Sequence, residues 1–354
     1  MPAYRYVPVG GAPVGPHVMV DGAPRPDTVC TLSHWPGAPT PHELWDDLSA
    51  GIVLRARARP GCLPPGVEVA TVDHFDADGV IALGFLCVDG LADTHGRLLS
   101  EAARVGDFGV VTDRGAALVA FALAALADGR RAAGGPAATA GLDVMGRCAQ
   151  AATEALRILP ALADRPDDHE GLWGAEAAAF DASRAALAEG WARIEEHPEL
   201  DLAVVTVDVD HPGAAAAAWG GARLHRAAVH SATPHLRVAT LAGPAFEVRY
   251  RYESWVRLVS RRPRPRVDLT DVAAELTGLE RGGTRWVFDG AGAVTGALHP
   301  ADGAPSSLEP ARFVDVVCRR LRELDAGAPA WDPYAGAVGP RRPRHRPGRR
   351  ARTP

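Results

Sequence analysis

Three carboxylates and an imidazole fall within six residues of this chain, Asp73-His74-Phe75-Asp76-Ala77-Asp78, and Gly79 closes the group. Hard oxygen donors beside a ring nitrogen suit a divalent cation or acid–base work on a phosphate. Crowded carboxylates repel one another unless a cation or amide donors offset them. The preceding run, about Val67 to Val72, alternates Val and Thr like a buried strand, and the following "VIALGFLCV" reads as a helix. The acids therefore stand at a strand's carboxyl end, where open α/β sheets place their ligands. The competing use is structural: an aspartate opening a helix, accepting amide hydrogen bonds and easing the helix dipole.

Spacing separates the motifs that share Asp-x-Asp-Gly. A calcium-binding EF-hand loop would begin at His74 and need glutamate where Phe85 stands, so that reading fails at both ends. "FDADGV" is similar to the strand-end signature of haloacid-dehalogenase-like phosphatases, which implies Asp76 as nucleophile and Asp78 as acid/base. The later acidic pair of such enzymes is imitated by "GDFGVVTD", although it comes only about thirty residues on.

Across a longer stretch, "TVDHFDADG" resembles the first motif of the DHH phosphoesterase superfamily. "WVRLVSRRPRPRVDLTDVAAELTGLERGGTRWVFDGAGAVTGALHP" resembles the DHH-associated C-terminal domain, so the likeness runs from Val67 to about Pro300. It implies metal-dependent hydrolysis of a small phosphate ester or short nucleotide chain, with two manganese or magnesium ions. Asp76 and Asp78 match the paired aspartates, and His74 matches the first ligand of related exonucleases. Asp113 would open the namesake triplet, and Asp107 would be a separate strand-end ligand. Arg257, Arg262 and Arg264, with Arg261 and Arg266 beside them, present forked donors for a phosphate. Gly282 and Gly283 would admit it close to the backbone. Arg114 and Gly115 stand where the family has two histidines, and Thr284 where its glycine-rich turn has one. The alternative is a decayed site in a non-catalytic nucleotide- or anion-binding protein.

The elements that must position these residues follow from composition. The 354 residues are 47% apolar but only 6% aromatic, so Ala, Val and Leu must build the interior, which favours helices packed on a sheet. The expected class is α/β: an open, mostly parallel sheet domain, a helical connector and a smaller mixed α/β domain. The expected boundaries are an N-terminal extension at 1–66, the metal-site domain at 67–138, the connector at 139–199, the substrate domain at 200–330 and a basic tail at 331–354. The first 27 residues, rich in Gly and Pro, are expected to be loosely ordered. "TPHEL" is expected to start a helix capped by Thr40, and "DFGVVTD" to be a short strand. A helix is expected to end at Gly106, and Ser306 or Ser307 to cap the last one.

No lysine occurs among the 38 basic residues, which excludes Schiff-base chemistry and a P-loop lysine. Five scattered cysteines form no framework or zinc ribbon. Without a basic, apolar leader or a run long enough to span a bilayer, the expectation is a cytoplasmic protein that does not enter membranes. The seven arginines after Pro340 could touch nucleic acid or remain a solvated end. His34 and Trp35 in "LSHWPG" read as packing residues, and His225, His230 and His235 share no helical or strand face.

Overall fold

A computed structural model describes residues 4–8, 15–127 and 142–335. The architecture is α/β, with two sheets and helices packed against both. The basic tail beyond Pro340 lies outside the described residues.

The first sheet is wholly parallel. It contains β1 (Arg5–Tyr6), β2 (His17–Val20), β3 (Thr28–Leu32) and β4 (Val69–Thr71), in the order β1-β4-β2-β3. The lead-in expected to be loose therefore supplies a central strand. Val18, Met19 and Val20 are completely buried, and pairing with β3 and β4 outweighs the flanking Gly and Pro.

Two helices, α1 (Ser49–Ala58) and α2 (Ala77–Cys87), pack on this sheet, and α3 (Leu91–Phe108) and α4 (Arg114–Ala127) pack outside them against α2. Every residue of α2 from Ala77 to Leu86 is buried, as a helix apolar on all sides requires. Gly106 lets α3 close onto α2, since a Cβ there would overlap that of Ala77. That close approach carries Asp107 toward the start of α2.

Two local expectations are corrected. "DFGVVTD" is the last turn of α3, a Gly109 C-cap with φ of 66°, and a turn into α4, not a strand. "TPHEL" makes only a 3-10 turn at His42–Leu44, because the Thr40 hydroxyl is taken by the Ser33 carbonyl (2.7 Å), and α1 begins at Ser49.

The connector holds α5 (Val144–Asp164) and α6 (Glu170–Glu189). The second sheet orders β5 (Ala192–His197), β6 (Leu202–Val207), β7 (Arg237–Ala242), β8 (Ala245–Tyr250), β10 (Ala297–Pro300) and β9 (Trp286–Phe288) side by side. Only β6 and β7 run parallel. β8 shows the alternation expected of it, with Phe246, Val248 and Tyr250 buried. They pack with Val272 and Leu276 of α9 (Thr270–Leu279) and Phe313 and Val317 of α10 (Pro310–Asp325). The opposite face meets α6 and the short helices α7 (Ala214–Ala217) and α8 (Arg226–Ala232). α10 starts at Pro310 without a side-chain cap; Ser306 and Ser307 instead donate to Glu280.

Two buried arginines organise the seam beside Tyr252. Arg251 pairs with Glu253 and donates to the carbonyls of Thr233 and Phe108, tying the second sheet to the end of α3. Arg266, with no exposed surface, donates to the Ser254 hydroxyl and to the carbonyls of Arg251, Ala291, Ala293 and Val294. Burial pushes its pKa down to about 10. Arg266→Met leaves those carbonyls without their donor and is expected to lower unfolding free energy by about 3 kcal/mol in urea titration. An unchanged midpoint and slope would refute this role.

Candidate metal centre

Six donor side chains meet where β2 and β4 end and α1, α2 and α3 approach one another: Asp21, His34, His74, Asp76, Asp78 and Asp107. Asp21 follows β2 directly, in the left-handed region at φ 45°, which is a strained conformation for a side-chain-bearing residue. Gly79 makes room for it: a Cβ there would lie 3.1 Å from Asp21 Oδ2. Asp76 caps α2 by accepting from the Gly79 amide (2.8 Å), and Asp78 accepts from the amides of Ser49 (2.6 Å) and Ala50 (2.8 Å) at the start of α1. Both aspartates thus have the helix-start role anticipated for such acids, and both also face other acids.

The two histidines are oriented differently, His34 with a nitrogen lone pair toward the acids and His74 as a charged ring between carboxylates. His34 Nδ1–H donates to the Asp47 carbonyl (2.6 Å), an oxygen that can only accept, so the Nε2 of the neutral ring carries the lone pair. That Nε2 lies 3.4 Å from Asp21 Oδ1, 3.6 Å from Asp107 Oδ2 and 4.0 Å from Asp78 Oδ2. Tyr252, from the second sheet's side of the seam, donates its hydroxyl hydrogen to it (3.0 Å). His74 donates from both nitrogens: Nδ1–H to Asp73 (3.0 Å) and Nε2–H to Asp76 Oδ2 (2.8 Å), with Asp21 Oδ2 3.4 Å from Nε2, so it must release the Nε2 proton before that nitrogen can bind a cation. A carboxylate or carbonyl behind a histidine is the outer partner typical of metal ligands.

The electrostatics are unbalanced. Burial, with Asp21 and Asp76 nearby, holds Asp78 well above the usual carboxylate range. Burial, with Asp78, Asp76 and Asp21, does the same to Asp107. Burial also opposes ionisation of Asp76, but the charge and hydrogen bond of His74 outweigh it and lower its pKa. Burial works against protonation of His74, yet Asp76, Asp21 and Asp73 raise its pKa. Asp21 Oδ2 and Asp107 Oδ2 are buried without a hydrogen-bond partner. Native interiors rarely leave such oxygens bare. Two donor sets fit a cation, Asp21–His74–Asp76 and Asp21–His34–Asp78, each with its ligand atoms within 4.8 Å of one another and Asp21 common to both.

Of the residues singled out in the sequence, His74, Asp76, Asp78 and Asp107 come together here. Asp113 does not: it caps α4, accepting from the Ala116 amide (3.0 Å), because the segment carrying it is a turn rather than a strand. Arg114 pairs with Asp181 on the surface. The predicted grip is elsewhere too. Arg257 stacks on Trp45 (4.5 Å) and donates to the Ala38 carbonyl, Arg262 pairs with Asp332, and Arg264 pairs with Asp325. Gly282 and Gly283 form an exposed turn with open space around them. Arg262 and Arg264 are thus engaged by acids of the C-terminal part, and Arg257 is held against the N-terminal segment with its Nε left without a hydrogen-bond partner.

Asp21 and Tyr252 carry no local signal of chemistry, and His34, which reads as a packing residue, proves to be a donor of the cluster. "HVMVDG" repeats the apolar-run, Asp, Gly pattern of the acidic cluster, and that repetition is the one trace of Asp21 in the sequence. A cleft of about 1030 Å³ opens from Asp76 and Tyr252 along the second sheet, with Arg223, Arg226, His230 and Arg249 in its walls. Arg226 donates to the carbonyls of Gly106 and Asp107, immediately beside the cluster.

Fold and site together define a two-sheet α/β protein with a buried carboxylate–histidine centre at the carboxyl ends of a parallel sheet. The chain belongs to a family of unknown function, DUF6687, which matches residues 2–333. No curated protein and no solved structure matches it. Among the described residues, no helix is long and apolar enough to cross a membrane.

The raised carboxyl groups set a pH dependence. Asp78 and Asp107 hold protons more tightly folded than unfolded, so they contribute stability below the ordinary carboxylate pKa of about 4 and withdraw it as pH rises through their folded values. Asp76 acts oppositely, contributing above its unfolded pKa. In chelator-treated protein, Asp107→Asn is expected to raise the melting temperature at pH 7 and flatten its fall between pH 4.5 and 8. Parallel profiles for the two proteins in thermal unfolding would count against the repulsion.

Proposed function

We propose that the protein is a metal-dependent phosphoesterase acting on a small phosphate ester or a short nucleotide chain, with manganese or magnesium held by the two donor sets that share Asp21. The observation that carries this reading is the pair of buried oxygens on Asp21 and Asp107 that lack a hydrogen-bond partner, beside two histidines whose rings are fixed with Nε2 toward them. Predominantly carboxylate donors with a minority of imidazole suit manganese, and magnesium after it. The likeness of "TVDHFDADG" to the DHH phosphoesterases points the same way. His34 contributes an imidazole although Arg114 and Gly115 replace the family's histidine pair.

When bound, such cations lower the pKa of an attacking water and offset the charge of the phosphate. The chain's own residues do the rest. Asp21 would join the two donor sets, and Asp73 and the Asp47 carbonyl fix the histidine rings. Arg223, exposed in the cleft wall, would be the cation for the remaining phosphate oxygens, with the charge of Arg226 beside it, and Tyr252 holds its hydroxyl against His34 at the seam. With Asp76 Oδ1 accepting from Gly79 and Oδ2 against His74, direct attack by Asp76 on phosphorus is the less favoured chemistry.

The test is manganese-dependent hydrolysis of bis(p-nitrophenyl) phosphate and of short oligonucleotides. Asp73→Asn, which removes only the partner of His74, is expected to lower the rate roughly 10- to 100-fold, and Asp21→Asn or Asp78→Asn to lower it further. Asp113→Asn should leave it nearly unchanged. Manganese at a hundred times its dissociation constant should stabilise the fold by about 2.7 kcal/mol. Turnover indifferent to Asp21 and Asp78 would remove this site from the chemistry, and absence of any manganese-induced shift would remove the metal.

A further inference from the structure

The far part of the cleft, between α4, α6 and the loop before α8, holds a second set of polar groups that the metal centre does not use. Glu176 of α6 lines it with only 8% of its surface exposed. Its Oε1 accepts from His225 Nε2 at 3.2 Å, while Oε2 is buried with no hydrogen-bond partner. The His225 tautomer is set by α8: Nδ1 accepts from the Ala227 amide (3.1 Å), so the hydrogen sits on Nε2 and points at Glu176. Aromatic rings surround this pair. Phe121, Phe180 and Trp219 have centroids 5.2, 5.7 and 6.4 Å from the His225 ring, and Phe121 and Trp219 also line the cleft. A carboxylate among aromatics with one oxygen unsatisfied lacks a donor that only an incoming molecule can bring.

The loop makes this end continuous with the first. Trp219 and Ala222 exchange backbone hydrogen bonds across Gly220 and Gly221, whose φ angles of 56° and 83° only glycine adopts easily. The chain then presents Arg223, exposed in the cleft wall, and Arg226, which reaches the carbonyls of Gly106 and Asp107. Acids, then arginines, then an aromatic-walled carboxylate therefore succeed one another from the metal centre outward. A nucleotide has that order of chemistry, with phosphate at one end and a flat, hydrogen-bonding ring at the other.

We propose that Glu176, with Phe121 and Trp219, forms a base pocket selective for guanine, so that the ester presented to the metal centre is a guanine nucleotide. A carboxylate pairs best with two adjacent donors, and guanine's ring N–H beside its amino group supplies them. Adenine and cytosine set an acceptor next to their amino group, and uracil flanks its single N–H with carbonyls. Hydrolysis of the bound nucleotide rests on the phosphoesterase reading; the pocket itself does not.

Calorimetric titration of the full-length protein with GMP, IMP and AMP tests it, because IMP differs from GMP only by the missing amino group. GMP is expected to bind about tenfold or more tightly than either competitor, and Glu176→Gln to remove that preference. The comparison among the three nucleotides on the unaltered protein needs no variant to fold. Equal affinities for all three would overturn the pocket, even if manganese-dependent hydrolysis of bis(p-nitrophenyl) phosphate, which has no base, is intact. A guanine preference in protein without that hydrolysis would support the pocket and overturn the phosphoesterase reading instead.

Discussion

Negative charge gathered without compensation is the constraint around which this protein is arranged. Asp21, Asp76, Asp78 and Asp107 reach one buried place from three separate segments, and backbone amides satisfy only part of their oxygens. Burial and mutual repulsion push Asp78 and Asp107 toward their protonated forms, which a fold selected for stability alone would avoid. Strain is stored at the same place, in the left-handed backbone of Asp21.

The surrounding architecture holds that arrangement together. Parallel strands β2 and β4 end side by side, so their trailing acids share one edge of the sheet. α2 is buried along its length and cannot rotate away, and Gly106 lets the end of α3 close in until Asp107 reaches His34. The histidines contribute precision of another kind, since Asp47 and Asp73 decide which ring nitrogen faces the acids. Behind Tyr252, Arg251 and Arg266 direct hydrogen bonds to main-chain carbonyls, and the bond from Arg251 to Phe108 ties the second sheet to the end of α3. Arginine suits this role because its planar fork can satisfy several carbonyls at once.

The cleft extends the same separation of charge over a longer distance. Its acidic end is closed by Arg226, which caps the last carbonyls of α3, and its other end carries a lone carboxylate oxygen among rings. His225 links the two ends in sequence, being the N-cap of the helix whose first residue is Arg226.

What the sequence determined by itself was local. Asp73 to Gly79 stood out as a chemical cluster because short-range spacing is visible in one dimension, and the α/β class followed from alternating apolar runs and small-residue composition. The alternation of β8 and the buried run of α2 were legible for the same reason. The tertiary structure decided which distant residues joined the cluster. Asp21 lies 28 positions from Ser49, which bonds it, and Tyr252 lies 218 from His34; no periodicity records such pairings. It also decided which residues did not join. Asp113 fell to a helix cap and Arg262 and Arg264 to ion pairs, because a side chain's partner is set by the surface it meets after folding.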